Sequence, residues 1–514
     1  MKNSLLAPYL IAVSVLTTES ATGTTPDLAE AEQLLRRGDY QQVAVALHNL
    51  PLLTAASHQR ALILEAEAAL AMGHPQQADK LFEQAASQLQ DSPEAEVGQI
   101  RAYFQAGDVR HAIAFGNIVA GEHPDFMEAQ ALLAWYEDRV GHTEHALAKL
   151  HESLAKQPED IALLAALAEI LIDRGMAAEA IKTMDAWINR NPPSGSIYRL
   201  RAKAALAIGD SQGTLEWRAR SVQAYQSAGE MAQANALLGW LDSADPAGKA
   251  NRKTVSLASQ AKPDAHSTPF ASNSVWHPPY LETIPVPEGG AVATGNGFIV
   301  DQGRRVVTHA RVVVKTNAEV QVRNGMGQVR NARIERRYAK EGVAVLKLIK
   351  PYPASWSLAF DRMVAPEGTR FCFTLGYPVA DLLDAAYPSI APGVVFRADV
   401  GTAGLMQITN GLSRDQSGSP IFDPSGRLIG IAVGKEDKIE GVGDRQAFLG
   451  KGDFAIRADI LLRLLAHRET PATKKLPTPA LPASLSVEEL YDRLRPAVVL
   501  VAAPIDRVEH APLR

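Results

Sequence analysis

A serine, a histidine and a glutamate in the second half of this 514-residue chain are residue types that together can cleave an acyl bond. Ser417 lies in the sequence Asp415-Gln-Ser-Gly-Ser-Pro420, and His309 and Glu341 precede it. A serine hydroxyl is a weak nucleophile until a neutral imidazole takes its proton, and a carboxylate has to orient that imidazole. The chemistry available is therefore acyl transfer through a serine intermediate, provided that the fold brings these groups within hydrogen-bond reach.

The composition bears on nucleic-acid partners, disulfides, metals and cofactors. The 52 Lys and Arg residues against 57 Asp and Glu residues give a net charge of −5, which does not favour a nucleic-acid partner. The single cysteine, Cys372, excludes an internal disulfide and a cysteine-rich metal site. The 13 histidines do not cluster with carboxylates at ligand spacing, so we expect no metal and no cofactor.

The N-terminus resembles a secretory signal. A short basic start, Met1-Lys2-Asn3, precedes an apolar run from Leu5 to Leu16, and small and polar residues follow. That run is too short to span a bilayer, and no other stretch is long and apolar enough. We therefore predict a signal peptide over residues 1–23 and export to a bacterial periplasm or the exterior. An ordinary buried N-terminal helix, in a protein that stays in the cytoplasm, is the alternative.

The first half of the chain repeats every 34 residues. Proline and alanine keep the same register, and a looser copy begins near Gly38. Glycine permits the turn between two helices, alanine permits close helix packing, and proline ends the second helix. The glycines that define the period are Gly73, Gly107, Gly141, Gly175 and Gly209.

This pattern resembles tetratricopeptide repeats, with a solenoid over residues 27–242. One unit cannot bury its own apolar face, so the units are expected to stack around a concave groove. The resemblance implies that the groove binds a protein or peptide partner. A solenoid that only spaces or docks the neighbouring domain is the alternative.

Two stretches of linker composition enclose a third region. Residues 243–283 and 469–484 are rich in Pro, Ala, Ser, Lys or Thr, which is typical of flexible linkers. Between them, residues 284–468 contain short β-branched runs separated by Gly, Pro, Asn and Asp. Many short strands at this spacing predict an all-β barrel or sandwich.

Six sequence matches in this region resemble chymotrypsin-fold serine peptidases of the high-temperature-requirement type. We therefore expect a multidomain chain in which an all-α tetratricopeptide solenoid is followed by an all-β trypsin-like double barrel. The matches occur in the family's order: Thr294-Gly-Asn-Gly-Phe-Ile-Val-Asp301, Arg305-Val-Val-Thr-His-Ala-Arg-Val-Val313, Gly342-Val-Ala-Val-Leu-Lys-Leu348, Leu375-Gly-Tyr-Pro378, Asp415-Gln-Ser-Gly-Ser-Pro-Ile-Phe-Asp423 and Asp453-Phe-Ala-Ile456.

The resemblance implies a degenerate catalytic triad. Ser417 falls on the nucleophile position, whereas the histidine position falls on Arg311 and the aspartate position on Gly342. A guanidinium stays protonated and cannot act as a general base. Glycine has no side chain with which to orient a general base. In the oxyanion loop, Asp415 replaces the usual glycine and Gln416 follows it, which places a carboxylate near a developing negative charge.

His309 and Glu341 are candidates for a displaced base and acid. His309 lies two residues from Arg311, which along an extended strand keeps the same face but moves the side chain by about 6–7 Å. Glu341 lies one residue from Gly342, which along a strand reverses the face. A rescued triad therefore requires a bulge, and a structural role for Ser417 is the other possibility.

Residues 485–514 resemble the lead-in segment of a second peptidase domain of this type, with a helix followed by a first strand. Either a second domain has been lost after this point, or the segment packs as an added helix and strand.

Three functions remain open. The first is a peptidase homologue with an impaired triad that binds proteins or peptides through the repeat groove or the barrel cleft, where strand edges can pair with an extended peptide. The second is an active serine endopeptidase that uses Ser417 with a displaced base such as His309. The third is a pure scaffold that acts through the solenoid alone.

Overall fold

The computed structural model shows a helical solenoid followed by two β-barrels. No helix among the described residues is both long enough and apolar enough to cross a membrane. The predicted signal peptide, both predicted linkers apart from residues 243 and 244, and the end of the chain lie outside the described residues. The structure describes residues 26–48, 50, 54–89, 92–244, 284, 292–368, 370–378, 387–400, 404–434, 453–466 and 485–505.

The solenoid contains thirteen helices over the described part of residues 26–244. The 34-residue glycines end the first helix of a unit in a left-handed conformation, with φ of +93° at both Gly107 and Gly141, as the repeat pattern predicts. The helices are α1 Pro26–Arg37, α2 Tyr40–His48, α3 Ala55–Ala71, α4 Pro75–Gln88, α5 Pro93–Ala106, α6 Val109–Glu122, α7 Met127–Arg139, α8 Thr143–Lys156, α9 Ile161–Asp173, α10 Ala177–Ile188, α11 Gly195–Ala207, α12 Ser211–Ser227 and α13 Met231–Ala244.

Buried ion pairs join equivalent positions of successive repeats. Arg139 donates to Asp173 at 2.6 Å, and the two residues are 34 positions apart. Lys203 contacts Glu169, also 34 positions away, and lies 2.9 Å from Asp173. The side chains of these four residues are nearly inaccessible to solvent. The repeat period therefore sets the electrostatic pairing of the solenoid as well as its apolar packing.

The second half forms the two closed barrels expected of a trypsin-like fold. The strands are β1 Val292–Val300, β2 Arg305–His309, β3 Val320–Asn324, β4 Val329–Tyr338, β5 Val343–Leu348, β6 Phe371–Gly376, β7 Ser389–Arg397, β8 Leu405–Ile408, β9 Pro420–Phe422, β10 Leu428–Gly434, β11 Asp453–Arg457 and β12 Val498–Pro504. Barrel 1 has the strand order β1-β12-β3-β4-β5-β2, and barrel 2 has the order β10-β11-β8-β7-β6-β9. Two further helices are α14 Ala458–Ala466 and α15 Val487–Leu494.

The last strand, β12, belongs to barrel 1 although it follows barrel 2 in the chain. It pairs antiparallel with β1 on one side and with β3 on the other. Residues 485–505 therefore pack as an added helix and strand of barrel 1. The barrel accordingly extends beyond the domain boundary that we placed at residue 468.

The solenoid contacts the barrels through an aromatic cluster. Phe104 of α5 stacks on Tyr136 of α7 with ring centroids 3.9 Å apart, and Tyr387 meets Phe104 edge-on at 5.0 Å. Arg174 of the solenoid donates to the backbone carbonyl of Ile390 in β7. The solenoid and barrel 2 consequently share one continuous apolar core.

Candidate functional site

His309 ends strand β2 and caps the turn that follows it. Residues Ala310–Val313 form a short 3-10 helix, and the Nδ1 atom of His309 accepts a hydrogen bond from the Arg311 N–H at 3.4 Å. The side chain is buried, and this burial, together with the positive charge of Arg311, lowers the pKa of His309 to about 4. His309 is therefore neutral at pH 7, and one of its two ring nitrogens is already used as an acceptor.

Gly342 lies beside this imidazole. Its carbonyl accepts a hydrogen bond from the Ala310 N–H at 2.8 Å, and its φ is +71°, a conformation that favours glycine. A Cβ on Gly342 would lie 3.0 Å from Nε2 of His309 and 3.4 Å from the end of the Ile456 side chain. The imidazole thus takes up the space next to the position where the family resemblance implies an aspartate.

The extended-strand geometry that we assumed around the two displaced candidates is wrong. Residues 309 to 311 leave the strand and enter the 3-10 turn, so a 6–7 Å translation along a strand does not describe their relation. Glu341 lies in the turn before β5, where its N–H donates to the Tyr338 carbonyl at 3.2 Å. Sequence periodicity cannot apply across either site because both are strand ends.

Ser417 is fully buried. Its relative solvent accessibility is 0%, and its hydroxyl donates a hydrogen bond to the backbone carbonyl of Val433 in β10. A serine hydroxyl has one proton to donate. In this arrangement that proton points toward the Val433 carbonyl.

The segment around Ser417 forms the seam between the two barrels, and Asn296 of β1 is its centre. The Asn296 N–H donates to the Ser417 carbonyl at 2.8 Å, and its Nδ2 donates to the Asp415 carbonyl at 2.8 Å. Its Oδ1 accepts from the Tyr377 N–H at 2.7 Å, and its carbonyl accepts from the Thr308 hydroxyl at 2.6 Å. Sequence reasoning did not single out Asn296, although its place between the two glycines of the Thr294–Phe298 match was a signal for it.

Gly418 is required at this seam. Its φ is +90°, and a Cβ there would lie 2.0 Å from the Asn296 carbonyl oxygen. Real Cβ atoms do not approach a carbonyl that closely, so only glycine fits. Retention of the Ser417-Gly418 pair therefore has a structural explanation that does not depend on catalysis.

Asp415 and Gln416, which the resemblance assigns to an oxyanion loop, lie in a short 3-10 turn over Arg414–Gln416. Gln416 is buried, its side-chain carbonyl accepts the Ser413 N–H at 2.8 Å, and its own N–H donates to the Ser413 carbonyl at 3.3 Å. The turn is thus held by local bonds and by Asn296. Among the sequence-predicted residues, the structure brings His309, Arg311 and Gly342 together, and it holds Asp415, Gln416 and Ser417 in the seam.

No group of three or more His, Cys, Asp or Glu residues in the described part of the chain is arranged to hold a metal ion.

Comparison with known families agrees with both halves of this architecture. Residues 69–136 and 140–204 match a tetratricopeptide repeat family, and residues 295–431 match the trypsin-like peptidase domain. The chain joins tetratricopeptide repeats to a trypsin-like peptidase domain. The matched peptidase segment begins in β1 and ends in β10, so it includes both sides of the seam.

Three solved structures are similar to the barrel half of the chain in fold. They are the MamO protease domain from Magnetospirillum magneticum in its apo form (20% identity, TM-score 0.27), Deg5 (18%, 0.26) and the Rv3671c protease in an inactive form (20%, 0.26). The alignments cover 35%, 34% and 35% of this chain and 96%, 85% and 87% of those chains, respectively. A comparison with curated proteins gives no match.

Proposed function

We propose that this chain is a peptidase homologue with an impaired catalytic site that acts by binding protein or peptide partners. The observation that carries the proposal is the state of Ser417, which is inaccessible to solvent and donates its proton to the Val433 carbonyl. A nucleophile has to meet a substrate carbonyl, and its proton has to pass to a base. The burial of Ser417 and the hydrogen bond from its hydroxyl to a backbone carbonyl both act against these requirements, and so support the proposal.

The residues at and near the histidine and aspartate positions that the family resemblance implies support the same proposal. A general base works best with a pKa near the working pH, and the pKa of His309 is about 4. Its Nδ1 accepts the Arg311 N–H, and its Nε2 faces Gly342, which offers no carboxylate. Arg311 cannot take a proton at any physiological pH.

The binding role rests on the repeats, since stacked units of this kind present extended surfaces to partner proteins. Part of the solenoid already binds its own barrels through Phe104, Tyr136 and Arg174. We place the partner surface on the remaining repeats and, second, in the barrel cleft. The proposal includes export from the cytoplasm, on the sequence of residues 1–23 alone.

The test is labelling of the purified full chain with a fluorophosphonate and incubation with unfolded casein. We expect no labelling above that of the Ser417→Ala variant and no cleavage of casein. An active enzyme with a displaced base predicts labelling that is lost in Ser417→Ala and also in His309→Asn, and that result would overturn the proposal. Labelling that is lost in Ser417→Ala but kept in His309→Asn would overturn it as well, and would remove His309 as the base.

The binding role is tested with fluorescent unfolded casein by anisotropy at concentrations up to tens of micromolar. We expect saturable binding without cleavage. Full saturation after removal of the barrels would favour the pure scaffold, and an absence of binding at every concentration would contradict a general peptide-binding role.

A further inference from the structure

Strand β12 fills a site between β1 and β3. Seven residue pairs join it to β1, from Val292 opposite Pro504 to Phe298 opposite Val498, and four pairs join it to β3. The two neighbouring strands would otherwise present unpaired N–H and C=O groups to each other across an open gap. The barrel therefore contains a site for one extended strand, and its ligand comes from a distant part of the sequence.

Both faces of β12 are buried, and each face packs into a different core. Val499, Val501 and Ala503 belong to the core of barrel 1. Val498 and Leu500 belong to the core that barrel 2 and the solenoid share. Burial on both faces makes the site selective for a strand that is apolar at every position.

The helix before β12 binds the solenoid. Asp492 of α15 accepts the Val109 N–H at the start of α6 at 3.2 Å, and Glu489 lies 3.4 Å from Arg110. His142 of the next repeat lies 3.5 Å from Glu488.

Arg495, between α15 and β12, is the most buried polar part of this contact. It is inaccessible to solvent, and its Nη1 donates to the Phe104 carbonyl at 3.1 Å. Its guanidinium lies 5.2 Å from the ring centres of both Phe104 and Tyr387 and 5.5 Å from that of Tyr491. Desolvated cation–π contacts of this kind are among the stronger ones, so Arg495 joins a solenoid ring to a barrel ring.

Tyr491 connects the same segment to barrel 2. Its hydroxyl donates a hydrogen bond to the Pro388 carbonyl, next to β7, at 2.7 Å. Residues 485–505 thus contact the solenoid, barrel 1 and barrel 2. We call this segment the clasp.

We propose that the gap between β1 and β3 is a peptide-binding site, that the clasp is its intramolecular ligand, and that occupancy of the site locks the solenoid against the barrels. The ligand class is an amphipathic helical turn followed by Arg-Pro and an apolar strand. The predicted linker over residues 469–484 supplies a covalent tether, so the clasp binds at high effective concentration without being part of the continuous barrel sequence.

The first experiment uses the full chain with a protease recognition sequence inserted in residues 469–484 and cut after folding. We expect the released segment to stay bound through gel filtration. A fluorescent peptide of residues 485–505 should then replace it slowly, and Val501→Asp in that peptide should weaken replacement by a hundredfold or more. Release of the segment while the rest keeps its thermal midpoint and its radius of gyration would overturn the proposal.

The second experiment tests the contact between the clasp and the solenoid separately from the pairing of β12 in barrel 1. Arg495→Ala is compared with Arg493→Ala, whose arginine is exposed on the same segment. We expect the amides at the start of α6 to exchange hydrogen at least tenfold faster in Arg495→Ala and at an unchanged rate in Arg493→Ala.

Because Arg495 is fully buried, Arg495→Ala can fail to fold. A variant at the partly exposed Asp492 tests the same contact with less risk to folding. Asp492→Ala should also accelerate exchange at Val109, the amide that it binds. Exchange rates equal to those of the unmodified chain in both Arg495→Ala and Asp492→Ala would show that the clasp does not hold the solenoid.

Discussion

The imidazole of His309 and the backbone of Gly342 are in mutual contact, such that a Cβ at residue 342 would lie 3.0 Å from Nε2. The absence of a side chain at residue 342 and the placement of the His309 imidazole beside it are therefore one structural feature. An acidic side chain introduced at residue 342 would therefore require the His309 imidazole to move.

This contact predicts that Gly342→Ala destabilises the domain more than Gly411→Ala does. Both glycines have positive φ, +71° and +66°, but nothing lies within 4 Å of a Cβ at Gly411. The φ cost of about 1–2 kcal/mol should appear in both variants, and the clash with His309 only in the first. Urea unfolding measures the difference, and equal losses would show that the imidazole moves aside freely.

The buried imidazole predicts a specific acid sensitivity. The pKa of His309 is about 4 in the folded chain against 6.5 for the ordinary group, so the folded state binds the proton less well than the unfolded state. Its contribution to stability is present above pH 6.5 and is lost as the pH falls toward 4, by on the order of 3 kcal/mol.

The matched variant for this prediction is His309→Asn, whose amide oxygen can replace Nδ1 as the acceptor for the Arg311 N–H. The free energy of unfolding of both proteins is measured from pH 7.5 to 4. The difference between the two proteins removes the contribution of the carboxyl groups that they share. A pH-independent difference between them would mean that residue 309 does not carry this titration.

Ser417→Ala should lower the stability of the chain, because the hydroxyl satisfies the buried Val433 carbonyl. The expected loss is about 1 kcal/mol, measured as a lower denaturation midpoint. Ser87→Ala, which removes an exposed hydroxyl that bonds within its own helix, is the control and should change little. A Ser417→Ala variant as stable as the parent would argue against a structural role.

The solenoid should depend strongly on Asp173. Removing its carboxylate in Asp173→Ala leaves Arg139 and Lys203 buried with reduced compensation, which costs about 3–5 kcal/mol. The control is Glu152→Ala, whose partner Lys156 is exposed, and we expect its thermal midpoint to be unchanged. Similar midpoints for the two variants would contradict a stabilising role for the inter-repeat pairs.

The sequence predicted the fold well because two regular signals were strong. A glycine recurring every 34 residues has few explanations other than stacked helical units, and the strand motifs occurred in the order of one fold. Both signals are local in the chain, so each can be identified without knowing what it packs against.

The place of β12 was only one of two alternatives because its partners β1 and β3 lie about 200 residues earlier, and pairing at that distance leaves no local pattern. The turn at His309 was missed for a related reason. A strand and the 3-10 turn that ends it differ by a hydrogen bond to residue 342, which sequence periodicity does not reveal. The burial of Ser417 likewise depends on Asn296 in the other barrel.

The late position of β12 in the chain has a consequence during protein synthesis. At about 5–20 residues per second, the ribosome needs roughly 8–30 s to add the approximately 150 residues between β5 and β12. During that interval the solenoid can fold and the strands of barrel 2 are synthesised, while β1 and β3 have left the ribosome without their common neighbour. The nascent chain therefore carries an open, apolar strand gap, and this is the stage at which a chaperone would have most to protect.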